Sequence, residues 1–78
     1  MALDLKKTVA NLSGTVTVQE AEPLLEWLQA TPKGKLNLAD CEHLHAAVLQ
    51  VILRTGATIQ KEPTDPDLTT WLKSAGAL

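Results

Sequence analysis

Apolar and polar positions along the chain change period several times, and those changes divide it into elements. Thr8-Val-Ala-Asn-Leu12 and Thr15-Val-Thr-Val18 are rich in β-branched residues and predict extended chain, with Ser13-Gly14 between them as a turn or bulge. From Val18 the spacing becomes helical: Val18, Ala21, Leu25 and Leu28 share a stripe that Leu24 widens, and Thr17-x-x-Glu20 has the form of a capping box. This predicts a first helix ending near Ala30. Pro23 would remove a backbone donor from its second turn and so shifts the expected start toward Glu22.

After the turn Thr31-Pro-Lys-Gly34, Lys35-Leu-Asn-Leu-Ala39 alternates as a strand does. A polar loop from Asp40 to His43 is then expected to lead into a second helix, Leu44 to Thr55, stopped by Gly56. Ala57-Thr-Ile-Gln-Lys61 reads as another short strand. Thr64-Asp-Pro-Asp67 offers caps and a proline at the first helical position, and Leu68, Trp71, Leu72 and Ala75 repeat at helical intervals, so a third helix follows. The alternation of strands and helices predicts an α/β domain, a short, mostly parallel sheet with helices packed on it. A three-helix bundle would need the alternating Leu36 and Ile59 segments to be loops. With 78 residues and no linker or repeat, the whole chain is expected to form one domain.

Composition narrows the classes of function. A net charge of −2 with dispersed Lys and Arg gives no basic stripe for nucleic acid. The longest nearly apolar run, Leu44 to Leu53, is about half of the ~20 residues a bilayer crossing needs, so no membrane insertion is expected. The first residues, Met-Ala-Leu-Asp-Leu-Lys-Lys, do not read as a leader, and one cysteine allows no internal disulfide, which together predict a cytoplasmic protein. The core must be aliphatic, since the chain has two Trp and no Phe or Tyr.

Leu12-Ser-Gly-Thr-Val-Thr-Val-Gln-Glu-Ala21 running into an amphipathic helix, followed by Lys-Leu-Asn-Leu-Ala-Asp and a helix containing Ala-Val-Leu-Gln-Val-Ile-Leu, resembles the STAS domain. This is the fold of anti-sigma factor antagonists and of sulfate-transporter cytoplasmic tails. The resemblance runs from about Thr8 to Trp71, with a truncated or absent first strand and no final strand and helix after Leu78. Members commonly carry an Asp-Ser-Ser-Gly or Asp-Thr-Ala-Gly sequence at the start of the second helix, where a kinase phosphorylates the hydroxyl and ends binding. Matching the Val51-Ile-Leu53 run places His45, Ala46, Ala47 and Val48 there, so the phosphoacceptor is missing. The resemblance implies a non-enzymatic interaction module of bacterial signalling, of the anti-sigma factor antagonist or chemotaxis-associated kind. Its partner would be a larger regulator such as an anti-sigma factor or a GHKL-type kinase. A small regulatory STAS subunit of an ABC lipid-transport complex is the alternative within the fold.

The residues themselves suggest where binding would occur. Leu44, Ala46, Ala47, Val48, Leu49, Val51, Ile52 and Leu53 surround the second helix almost completely, more than one sheet-facing stripe buries. Either the first helix covers the surplus, or an exposed edge around His43, His45, Ala46, Leu49 and Gln50 binds a partner, with a homodimer meeting the same need. Trp27 beside its helix's stripe is a candidate interface anchor, while Trp71 on its own stripe is expected in the core. Cys41, His43 and His45 invite a competing reading as a metal- or redox-dependent regulator. Three donors without a second Cys cluster make a poor zinc set, and neither a metal nor a cofactor is expected. No phosphate-cradling glycine loop, carboxylate pair or triad suggests an enzyme.

Overall fold

The computed structural model describes residues 3–78; the first two residues of the segment considered above as a leader lie outside that range. In chain order the elements are β1 (Leu3–Leu5), β2 (Val9–Leu12), β3 (Gly14–Val16), a 3-10 turn (Val18–Glu20) leading into α1 (Ala21–Ala30), β4 (Lys35–Asn37), β5 (Cys41–Leu44), α2 (Ala46–Thr55), β6 (Thr58–Lys61) and α3 (Pro66–Ser74). The protein is a mixed α/β fold in which three helices pack on a small, mostly parallel sheet.

Four strands lie in the order β1-β2-β4-β6, antiparallel between β1 and β2 and parallel thereafter. The other two, β3 and β5, pair with each other in parallel. Ser13-Gly14 is thus a bend rather than a hairpin turn. Past it the chain continues from β2 into β3, beside a chain that likewise continues from β4 into β5. Gly14 sits at φ +60°, a left-handed conformation that side chains resist, and its N–H donates to the Asp40 carbonyl at 2.9 Å. The register shifts between Gly14 and Thr15, as expected where a bulge separates two ladders.

Alternation along β2 and β4 decides which face is core. Ala10, Leu12, Leu36 and Leu38 are buried, whereas Asn11 and Asn37 between them face the other way, and across the parallel pair the Asn37 Nδ2 donates to the Asn11 Oδ1 at 3.0 Å. Leu24 and Leu28 from α1, Val48, Leu49 and Ile52 from α2, and Leu68 and Leu72 from α3 complete one aliphatic cluster. No buried polar side-chain atom among the described residues lacks a partner.

Helix ends follow their local chemistry. Thr17 forms both halves of the capping box with Glu20: its side chain accepts from the first-turn backbone, and its N–H donates to the Glu20 carboxylate at 2.9 Å. That box closes the 3-10 turn, and α1 proper begins only at Ala21. Pro23 therefore falls in the first α-turn, where its missing N–H has no intrahelical partner to lose. The stripe differs from the expected one at its start: Val18, in the 3-10 turn, is exposed, while Leu24 and Leu28 are buried and Ala21 and Leu25 pack partly buried beside them. Asp65 caps α3 by accepting from the Asp67 N–H at 3.0 Å, with Pro66 at the first helical position as the sequence suggests.

Three further expectations need correction. The expected loop Asp40 to His43 is largely strand, because Cys41–Leu44 pairs with β3, and α2 accordingly starts at Ala46 rather than Leu44. An N-terminal strand not anticipated, β1, pairs back on β2 around a Lys6 N–H to Val9 carbonyl bond of 2.8 Å. Trp71 is not a core residue but 39% exposed, since Leu68 and Leu72 fill the inward positions of α3. Trp27, the candidate anchor beside its helix's stripe, is half-buried. Its indole N–H donates to the Lys6 carbonyl at 2.9 Å, tying α1 to the β1–β2 connection.

Candidate functional site

The entry to α2 is fixed by one residue. His45 has extended backbone angles, φ −66° and ψ 145°, and donates its N–H to the Val16 carbonyl of β3 at 2.9 Å. Its imidazole Nδ1 then accepts from the Ala47 N–H at 2.9 Å, so a histidine side chain caps the helix where Ser, Thr, Asp or Asn usually does. This acceptance requires a ring that carries its proton on Nε2, which leaves Nε2–H as the atom available to a partner. At the other end Gly56 takes the left-handed stop conformation, with Ala57 donating back to the Ile52 carbonyl at 3.2 Å.

Of the five residues expected at the partner face, four are at the surface. His43, His45, Ala46 and Gln50 are exposed; Leu49 is 6% exposed and belongs to the core. Helical geometry gives the reason, because Leu49 follows Val48 onto the inward side with Ile52, whereas Ala46 and Gln50 lie one turn apart on the outward side. The apolar surplus of α2 is mostly met by α1, against which it packs. Leu53 keeps the remainder exposed, at 38%.

A depression of about 530 Å³ runs between α1 and α2, with Leu25, Ala47 and Val51 contributing apolar surface and Gln29, Gln50 and Arg54 polar surface. Of the residues read from the sequence as a partner face, only Gln50 lines this depression, and its α1 side was not anticipated. The usable signal was Leu25, which lies to one side of the inward stripe defined by Leu24 and Leu28. His43 does not join this face. It lies on β5 and lines a separate groove with Trp71.

The three residues of the metal or redox reading are not brought together. Cys41 is 2% exposed, while His43 and His45 are at the surface, and no group of three His, Cys, Asp or Glu side chains among the described residues is placed to hold a metal ion. The Cys41 Sγ–H donates to the His43 carbonyl at 3.6 Å, not to its imidazole. Burial pushes the thiol up to about 11, outweighing that hydrogen bond, so near neutral pH it is an inert, protonated core group rather than a nucleophile.

No hydroxyl side chain occurs between Gly34 and Thr55, and the first turn of α2 presents Ala46, Ala47 and Val48. Among the described residues no helix is long and apolar enough to cross a membrane. The chain matches no protein-family model and no curated protein.

Proposed function

We propose that the protein is a non-enzymatic interaction module of bacterial cytoplasmic signalling, resembling the STAS domain of anti-sigma factor antagonists. It would dock through the outward side of α2 on a larger regulator such as an anti-sigma factor or a GHKL-type kinase. The observation that carries this reading is the exposed row His45, Ala46 and Gln50 at the start of α2, the last of which lines the α1–α2 depression. Small residues in the first turn let a partner approach the backbone closely, and Gln50 and Arg54 supply a polar rim of the kind that surrounds an apolar contact. With alanine at the switch positions, phosphorylation cannot end this binding. A domain without that switch also suits a constitutive regulatory subunit of an ABC lipid-transport complex, the second occupant of the same surface.

The test is capture from native cell extract by the immobilised protein, compared with Ala46→Arg and Gln50→Arg, two surface changes that leave the core alone. Recovery of a signalling regulator or a transporter ATPase by the wild type, lost from both still-folded variants, supports the reading, and the protein recovered decides between its two forms. A wild type that captures nothing and sediments as a monomer rejects it.

A further inference from the structure

A groove of about 400 Å³ lies between β5, whose one strand neighbour among the described residues is β3, and the N-terminal part of α3. Its floor includes the buried Leu44 and Leu68, and Trp71 stands at its side with 39% of its surface exposed. Such exposure is unusual for an indole in a protein with only two aromatic residues, the other of which is tied down by a hydrogen bond. A second recess shares Glu42 and Asp65 with the groove and extends it past Asp40.

Charge selects what could lie there. Asp40, Glu42, Asp65 and Asp67 line the two recesses, and neither includes a Lys or Arg. Among the described residues the one ion pair is Lys6 with Asp4, on β1 and the turn after it, so no internal cation answers these carboxylates. Asp65 caps α3 and Asp67 lies in its first turn, where the helix dipole already favours an acid, which leaves Asp40 and Glu42 as the exposed acids with no such compensation. The walls are held in place: the Thr64 hydroxyl donates to the Ala39 carbonyl at 3.1 Å, fixing the approach to α3 against the turn before β5.

We infer that this groove binds an extended, arginine- or lysine-rich segment of a partner protein, laid along the free edge of β5. Its cationic side chains would alternate between the carboxylates and the face of Trp71. An unpaired strand edge favours an extended occupant, an indole face attracts a guanidinium, and uncompensated carboxylates favour cations in a salt-dependent way. The surface is distinct from the α2 face, so the two readings can fail separately.

The experiment uses the full chain and a fluorescein-labelled peptide of alternating arginine and alanine, with a glutamate–alanine peptide as the opposite-charge control, read by anisotropy. Saturable binding of the arginine peptide alone is expected, weakened about tenfold or more by Trp71→Ala and by Glu42→Lys. Glu22→Lys, the same charge change on α1, and Gln50→Arg on the α2 face should leave it within about twofold, whereas salt should weaken it progressively. Asp67→Asn gives a milder change at the same groove should Trp71→Ala disturb the fold. Failure of the wild type to bind the arginine peptide overturns the inference, as does equal weakening by Glu42→Lys and Glu22→Lys, which would reduce the effect to net charge.

Discussion

Gly34→Ala is a small change with a large expected effect. A Cβ built on Gly34 would lie 2.7 Å from both Cη2 and Cζ3 of Trp27 and 3.0 Å from the Thr31 carbonyl oxygen. Comfortable carbon–carbon contact is about 3.5–4.0 Å, so the ring must retreat by nearly 1 Å. It cannot do so freely, because its N–H is bonded to the Lys6 carbonyl at 2.9 Å. Overpacking of this kind costs about 1–3 kcal/mol and a lost hydrogen bond about 1 kcal/mol. Reduced unfolded-state freedom returns about 0.4–1 kcal/mol, since Gly34 is outside the left-handed region and alanine can take its backbone angles. The net is about 2 kcal/mol of destabilisation, or a Tm lowered by about 8–16 °C in a domain of this size. Thermal melting followed by circular dichroism measures it, and the same substitution in a Trp27→Leu background should cost much less, since the ring it meets is gone. A Gly34→Ala protein as stable as the wild type, or an equal cost in both backgrounds, would refute the clamp between α1, the turn before β4 and the β1–β2 connection.

Leu49→Ala should cost about 2–4 kcal/mol in urea unfolding, whereas Gln50→Ala should change stability by less than about 0.5 kcal/mol; similar values for the two would contradict the orientation assigned to α2. Cys41, with its thiol pushed up to about 11, should react with iodoacetamide at pH 8 about a hundredfold more slowly in the folded protein than in denaturant. The same upward shift means that the thiol favours the fold below the ordinary thiol range and that this contribution is lost as pH rises toward about 11. Fast labelling of the native protein would show Cys41 to be accessible. The hydrogen bond from the Thr17 hydroxyl, ahead of its backbone bonds and against a smaller desolvation effect, lowers the Glu20 carboxyl, so its stabilising contribution is present above the ordinary carboxylate range and fades as pH falls through the lowered value. The stability gap between wild type and Glu20→Ala should therefore shrink in acid, and a gap independent of pH would refute the charged capping box.

Elements whose signals are local were legible in the sequence: the Thr17–Glu20 box, Asp65-Pro66 ahead of α3, Gly56 after α2, and the alternation through Leu36 and Leu38. What was not legible depends on distant partners. Cys41–Leu44 contains turn-like polar residues and becomes a strand only because β3 offers a parallel ladder. The same pairing delays α2, while the 3-10 turn takes up Val18 to Glu20 ahead of α1. Thus Val18 leaves the core. The exposed row His45, Ala46 and Gln50 could be read from spacing, whereas Leu25 and Gln29 join that face only when α1 is laid against α2. Trp71 was misjudged because size and helical position both suggested burial, and neither shows that the two leucines beside it already fill the space.

The strand order sets a schedule for folding. Among the described strands, only β1 and β2 can pair by closing a short turn; every other ladder joins segments with a helix or more of chain between them. Such closures are entropically slow, and two of the three meet at β4, which has β2 on one side and β6 on the other. Until Lys35–Asn37 is in place, β6 has no strand to join, and β2 keeps one edge open to other chains. During synthesis the N-terminal hairpin and α1 must therefore wait, incompletely covered, for a segment of three residues near the middle of the chain.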